Sequence, residues 1–138
     1  YRQFGLSGWY EFIKDYAFSA TYNLIQLEEG QGHRIIASFS DRNGSIGLVY
    51  ETGDLGDQMG VMFNYGYEIY KNLIASISID YTKYRFEEIY AYENQMGNAA
   101  RLAYSFAKHW RVDLEYQWLT NKFKNSDHRL LNHIYYIW

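Results

Sequence analysis

Apolar and polar residues alternate along most of the chain. The longest such stretch runs from Asn98 to Phe123. Leu102, Tyr104, Phe106, Trp110, Val112, Leu114, Tyr116 and Trp118 alternate there with residues that include Arg101, Ser105, Arg111, Asp113, Glu115 and Gln117. A period of two over this length marks strands with one apolar and one polar face. The alternation breaks at Ala107-Lys108-His109. A three-residue loop there sets Tyr104 opposite Val112 and Leu102 opposite Leu114. The same register sets Arg101 opposite Glu115 and Ser105 opposite Arg111. Apolar meets apolar and opposite charges meet, so the hairpin is self-consistent.

The rest of the chain repeats this unit. Phe4, Leu6, Gly8, Tyr10 and Phe12 alternate with Gln3, Ser7 and Glu11, and a short turn follows at Ile13-Lys14-Asp15-Tyr16. Phe18, Ala20, Tyr22 and Leu24 form the next apolar face. The parity then slips to Ile25 and Leu27, which predicts a bulge. Glu28 to Gly32 reads as a loop. Ile35, Ala37 and Phe39 precede Asn43-Gly44, the strongest short hairpin signal in the chain. A type I′ turn there pairs Phe39 with Leu48 and Ala37 with Tyr50. After a polar loop at Thr52 to Gln58, Val61, Phe63, Tyr65, Tyr67 and Ile69 lead into a tight turn at Tyr70-Lys71-Asn72. Asn72 suits a left-handed turn position. Leu73, Ala75, Ile77, Ile79 and Tyr81 follow, then the longest loop, Phe86 to Met96. After the hairpin of Asn98 to Phe123, a loop at Lys124 to Asp127 precedes a last strand, Arg129 to Trp138. No helical period of useful length occurs.

The reading is all-β: an antiparallel up-and-down transmembrane β-barrel of about nine strands, in one domain spanning residues 1–138. Short and longer connections alternate, as in outer-membrane barrels with short periplasmic turns and longer extracellular loops. If the short turns are periplasmic, the first strand runs downward from the outside. That start, with an odd strand count, gives the expectation that the chain is the C-terminal portion of a larger barrel; the alternative is a mature small barrel with one strand misread. Alternation already begins at Tyr1-Arg2-Gln3-Phe4, so no signal peptide is read; it was removed, or further residues lie upstream.

Composition sharpens this picture. Aromatics make up 20% of the chain and proline is absent, which favours long uninterrupted ladders. No apolar run reaches the roughly 20 residues of a spanning helix, and a mean hydropathy of -0.45 suits strands that are half polar. A net charge of -3 without a basic patch argues against nucleic acid. The chain has no cysteine, so it has neither a disulfide framework nor a thiol nucleophile.

A soluble lipocalin-like ligand-binding barrel is the alternative, with the apolar face inward. Volume opposes it. Tyr10, Phe12, Phe18, Tyr22, Phe39, Tyr50, Phe63, Tyr65, Tyr67, Tyr81, Tyr104, Phe106, Trp110, Tyr116 and Trp118 share that face. An eight-stranded interior is filled by ordinary side chains. Facing lipid, the rings meet no such limit, and Phe12, Phe106, Trp110 and Trp118 fit interfacial girdles. Ser19, Thr21, Ser76, Ser78 and Ser105 suit a wet inner face.

The hairpins and the terminal Asn132-His133-Ile134-Tyr135-Tyr136-Ile137-Trp138 resemble the C-terminal part of a Gram-negative outer-membrane β-barrel. Members of that porin and export-barrel class commonly end in an aromatic residue preceded by alternate apolar positions. Trp138, Tyr136, Ile134 and Leu130 match; Asn132 does not, and the glycine often found there is absent. The resemblance names an architecture and no particular family. It implies the bacterial outer membrane, with the lipid bilayer and the barrel assembly machinery as partners.

Candidate pore-lining residues are Glu11, Glu68, Asp80, Arg101, Arg111, Asp113 and Glu115, since charges on a channel wall set ion preference. Arg101 with Glu115 reads first as a structural cross-strand pair. His33 and His128 fall near the longer loops, His109 in a short turn and His133 on the last strand. Ser126-Asp127-His128 has the residue types of a triad, but neighbours on one loop seldom form one. Glu51, Asp54 and Asp57 lack the EF-hand spacing and read as a solvated acidic loop. The expectation is therefore no enzyme, no cofactor, no metal and no nucleic acid. The function expected is a channel for solutes. The alternatives are export of a polymer, or a sheath around a partner protein such as a cytochrome.

Overall fold

The computed structural model describes all residues except 1, 27–29, 55, 87–90, 124, 125, 137 and 138. Nine strands follow one another: β1 (Arg2–Ile13), β2 (Tyr16–Gln26), β3 (Gln31–Ser40), β4 (Gly44–Gly53), β5 (Asp57–Tyr70), β6 (Leu73–Arg85), β7 (Glu93–Ala107), β8 (Trp110–Thr120) and β9 (Asp127–Tyr136). They form one sheet in which each strand pairs antiparallel with its sequence neighbours, in the order β1 to β9. The architecture is an open segment of an up-and-down β-barrel.

The sheet is a single layer, so only curvature can shade one face more than the other. The difference is large. Leu48 is 58% exposed and its neighbour Val49 only 5%; Leu114 is 44% exposed and Asp113 0%. The apolar face is therefore convex and the polar face concave. Most of the aromatic rings, including Tyr10, Phe18, Phe63, Tyr65, Tyr104 and Tyr116, stand on the convex side, opposite to the lipocalin-like arrangement. Tyr65, Ile77, Leu102 and Leu114 all lie exposed there. Among the described residues only Ile25, Val49 and Ala103 are buried apolar side chains, so this sheet encloses no hydrophobic core.

One end of the sheet carries the short turns, and three of them share a pattern. Glu11-Phe12-Ile13-Lys14-Asp15, Glu68-Ile69-Tyr70-Lys71-Asn72 and Ser105-Phe106-Ala107-Lys108-His109 each put lysine three places after a polar residue. The ladder slips at the same point in each, between Glu11 and Ile13, Glu68 and Tyr70, and Ser105 and Ala107. Asp15 and Asn72 have positive φ, 69° and 65°, as expected for Asn72. The Glu11 and Glu68 carboxylates accept the backbone N–H of Asp15 at 3.3 Å and of Asn72 at 2.8 Å. A side chain thus replaces the ladder bond that the bulge removes.

The fourth short turn differs from the expectation. Asn43 and Gly44 do not form a type I′ turn: neither has positive φ. Instead the Asp41 carboxylate accepts the N–H groups of Asn43 and Gly44 at 2.8 and 2.7 Å. Phe39 pairs with Ile46 and Ala37 with Leu48, two residues from the expected register. Gly44 is needed for a different reason. It lies against Tyr65, and a Cβ there would sit 2.2 Å from the Asn64 carbonyl oxygen.

Two further expectations are corrected. The ladders through Leu24 and Ile25 are continuous, so there is no bulge; Ile25 simply turns to the concave face beside Gly32 and is buried. And β7 begins at Glu93, five residues before Asn98, paired with the far end of β6. Leu27, Glu28, Glu29 and the terminal Ile137 and Trp138 lie outside the described residues.

Candidate functional site: the concave wall

The expected β7–β8 register holds. Arg101 pairs with Glu115, Leu102 with Leu114, Tyr104 with Val112 and Ser105 with Arg111. Residues paired across a ladder share a face, and following the ladders sheet-wide puts Glu11, Glu68, Asp80, Arg101, Arg111, Asp113 and Glu115 all on the concave face. Ser19, Thr21, Ser76, Ser78 and Ser105 join them, with the Ser19 and Ser38 hydroxyls 2.7 Å apart.

The side chains group differently from the expected pairing. Arg101 forms its ion pair with Asp113, one step diagonally, and not with Glu115. Arg111 holds the other oxygen of the same carboxylate, Nε to Oδ1 at 2.7 Å. Asp113 sits at full burial between two guanidiniums that are about a third exposed. Ala103, its ladder partner, is too small to displace it. A carboxylate buried this way needs charged donors on both oxygens, and two arginines supply them. Glu115 instead accepts from the Gln117 amide at 2.6 Å. Arg101, Glu115, Ser76, Ser78 and Asn64 line a recess of about 360 Å³ in the wall.

Glu11 and Glu68 reach the same face near its short-turn rim, but their carboxylates are turn caps. Asp80 lies exposed between Met62 and Gly97. Sequence reasoning missed Arg34 and Glu51 as wall residues. They face each other across β3 and β4, 3.6 Å apart, and the misassigned register had set Arg34 opposite Gly53. Trp9, Arg129 and His133 are also on this face, opposite Ser19, Gln117 and Asp113. Strand parity alone would have found all three.

The acidic loop disperses. Asp54 accepts the Gln31 N–H at 2.6 Å, Asp57 binds Arg85 and Thr52, and Glu51 faces Arg34. Lys122, in the connection before β9, pairs with Glu93, whose carboxylate holds the ammonium above the ordinary lysine range. Ser126, Asp127 and His128 also go separate ways: Asp127 takes the Arg129 guanidinium, while His128 turns to the convex face and meets the Tyr116 hydroxyl at 2.5 Å. Tyr22 and His33 repeat that contact at 2.7 Å on β2 and β3. At the other end, Phe12, Tyr16 and Phe39 cluster with ring centroids 5.8–6.4 Å apart.

No family model matches the chain, and no curated protein sequence matches it. Among solved structures, it is similar to the KdgM porin in complex with disordered oligogalacturonate, with 13% identity, 99% of this chain and 92% of that chain covered, and a TM-score of 0.33.

Proposed function

We propose that the chain forms wall of a bacterial outer-membrane β-barrel and that its concave face lines a passage for solutes. The observation that supports this is the inverted distribution of apolar surface. Leucine, isoleucine, tyrosine, phenylalanine and tryptophan side chains dominate the exposed convex face, most charged strand residues lie on the concave one, and Arg2, Asp57, Lys83 and Arg85, which share the convex face, gather at the long-connection end. A water-soluble domain does not leave so large a contiguous apolar surface open. A strand sheet in lipid requires it. All nine strands have 10 to 15 residues, enough for the roughly 9–11 that a tilted membrane strand needs. The rings at the short-turn end and the Tyr–His contacts at the other stand where interfacial girdles belong. The bilayer and the barrel assembly machinery are the partners this reading requires.

The test is a single substitution on the convex face. Leu114→Arg should destabilise the protein folded in lipid vesicles by about 2–4 kcal/mol if position 114 lies at mid-bilayer. In planar bilayers the unmodified protein should give discrete conductance steps. A protein that stays in the aqueous fraction without detergent, or a neutral Leu114→Arg, overturns the membrane reading; membrane insertion without conductance overturns the passage.

A further inference from the structure

The charged side chains of the concave wall do not stand alike. Glu11 and Glu68 turn to the backbone N–H groups of Asp15 and Asn72, and Lys14 and Lys71 lie exposed in the same turns. Arg101 and Arg111 hold Asp113 between them. The positive charge left over there faces Glu115, the ladder partner of Arg101, so these four side chains sum to zero. Glu51 has Arg34, Asp127 has Arg129, and Glu93 has Lys122.

Asp80 differs from all of these. It is exposed, and it makes no hydrogen bond or ion pair among the described residues. Its ladder partners are Met62 and Gly97. One step away on the same face, β5 places Gly60 and Asn64, β6 places Ser78 and Thr82, and β7 places Gln95 and Ala99. None of these side chains carries charge. The glycines also leave the carboxylate uncovered: a Cβ at Gly97 would stand 3.9 Å from the Asp80 Cβ. Arg101 follows Gly97 on β7 at a backbone distance of about 13 Å, at about 3.3 Å per residue. That is beyond the screening length of about 10 Å at 0.1 M ionic strength.

We propose that this wall favours cations and that Asp80 is the residue through which it does so. The proposal rests on the passage reading above and adds the class of solute. A carboxylate without a fixed counter-charge takes its neutralising charge from solution, so small hydrated cations gather beside it and anions are kept away. The paired groups do this poorly, because the field of a dipole falls off more steeply than that of a single charge. Screening shortens from about 30 Å at 0.01 M to about 3 Å at 1 M salt, so the preference is strong in dilute salt and weak in concentrated salt.

The test is the reversal potential of the protein in planar bilayers that separate unequal concentrations of KCl, whose two ions have nearly equal mobility. The native protein should prefer potassium, more so in dilute salt. Asp80→Asn should move the reversal potential toward zero, Asp80→Lys should move it further in the same direction, and Asp80→Glu should keep the native value. Met62→Lys leaves Asp80 in place and sets an ammonium on its ladder partner, and it should also move the potential toward zero. Glu68→Gln, at a carboxylate already held by the Asn72 N–H, should shift it far less. A native preference for chloride, or none at all, overturns the proposal. So does a potassium preference that both Asp80→Asn and Met62→Lys leave unchanged, or a Glu68→Gln shift as large as that of Asp80→Asn. In each of these cases current still flows, so the passage reading stands. Absence of conductance in the native protein defeats both.

Discussion

The hairpins β3–β4 and β7–β8 look alike in outline, yet one was readable from its residues and the other was not. In β7–β8, charged and polar partners lie close to the turn, and Arg101 opposite Glu115 with Ser105 opposite Arg111 admit one alignment. In β3–β4 the residues near the turn are Phe39, Ala37, Ile46 and Leu48. A slip of two residues exchanges one apolar partner for another and leaves every side chain on its own face. Alternation cannot detect it. Only the distant Arg34–Glu51 pair distinguishes the two registers, and the Asn-Gly dipeptide pointed to the wrong one. Cross-strand charge is the better guide to register than a turn dipeptide.

The largest effect should come from the centre of the legible hairpin. Asp113→Asn removes the charge that two guanidiniums share. The loss should be about 3 kcal/mol, the low end for a broken buried pair because both arginines are partly wet. It is measured as a shift in the urea midpoint of the protein folded in vesicles. Glu115→Gln should cost far less; equal losses would mean that Arg101 serves both carboxylates. Next is the misread turn. Gly44→Ala forces a Cβ onto the Asn64 carbonyl and should cost about 1–3 kcal/mol, whereas Asn43→Ala should stay within about 0.5. The reverse order would restore the type I′ turn. The smallest effect belongs to the register marker. Arg34→Ala should cost under about 1 kcal/mol, since the side chain is only about half covered and stands 3.6 Å from Glu51, and a double-mutant cycle with Glu51→Ala should give a coupling in that range. A coupling of zero would leave the pair as a label of register without energetic weight.

Much of the fold was legible because a barrel wall writes itself in parity. Strand number, order and facing all follow from a period of two, and the seven expected wall residues share one face for that reason. What stayed hidden depends on distances that parity does not encode. Asp113 binds two arginines because Arg101, diagonal to it across the ladder, and Arg111, two residues before it on β8, both reach it with long guanidiniums, while Glu115, the ladder partner of Arg101, does not receive that guanidinium. Glu11 and Glu68 are concave by parity but are drawn to turn amides that lack ladder bonds. Ile25 broke the apolar alternation, and the break looked like a bulge because a buried aliphatic on a polar wall was not expected beside Gly32.

The strict neighbour-to-neighbour order of the sheet bears on how such a protein changes over time. Every ladder joins strands adjacent in sequence, and contacts that reach past a neighbour, such as Phe12 with Phe39, sit at strand ends, so the stability of the wall is close to a sum of adjacent terms, as in stacked-repeat proteins. The recurring Glu-x-x-Lys turn marks the natural unit of gain or loss. Inserting or deleting one such hairpin moves the chain by two strands, so the facing of every side chain and the direction of both edges survive. A duplication can widen the wall without redesigning it, and a loss of one strand alone would turn the sheet against its neighbour.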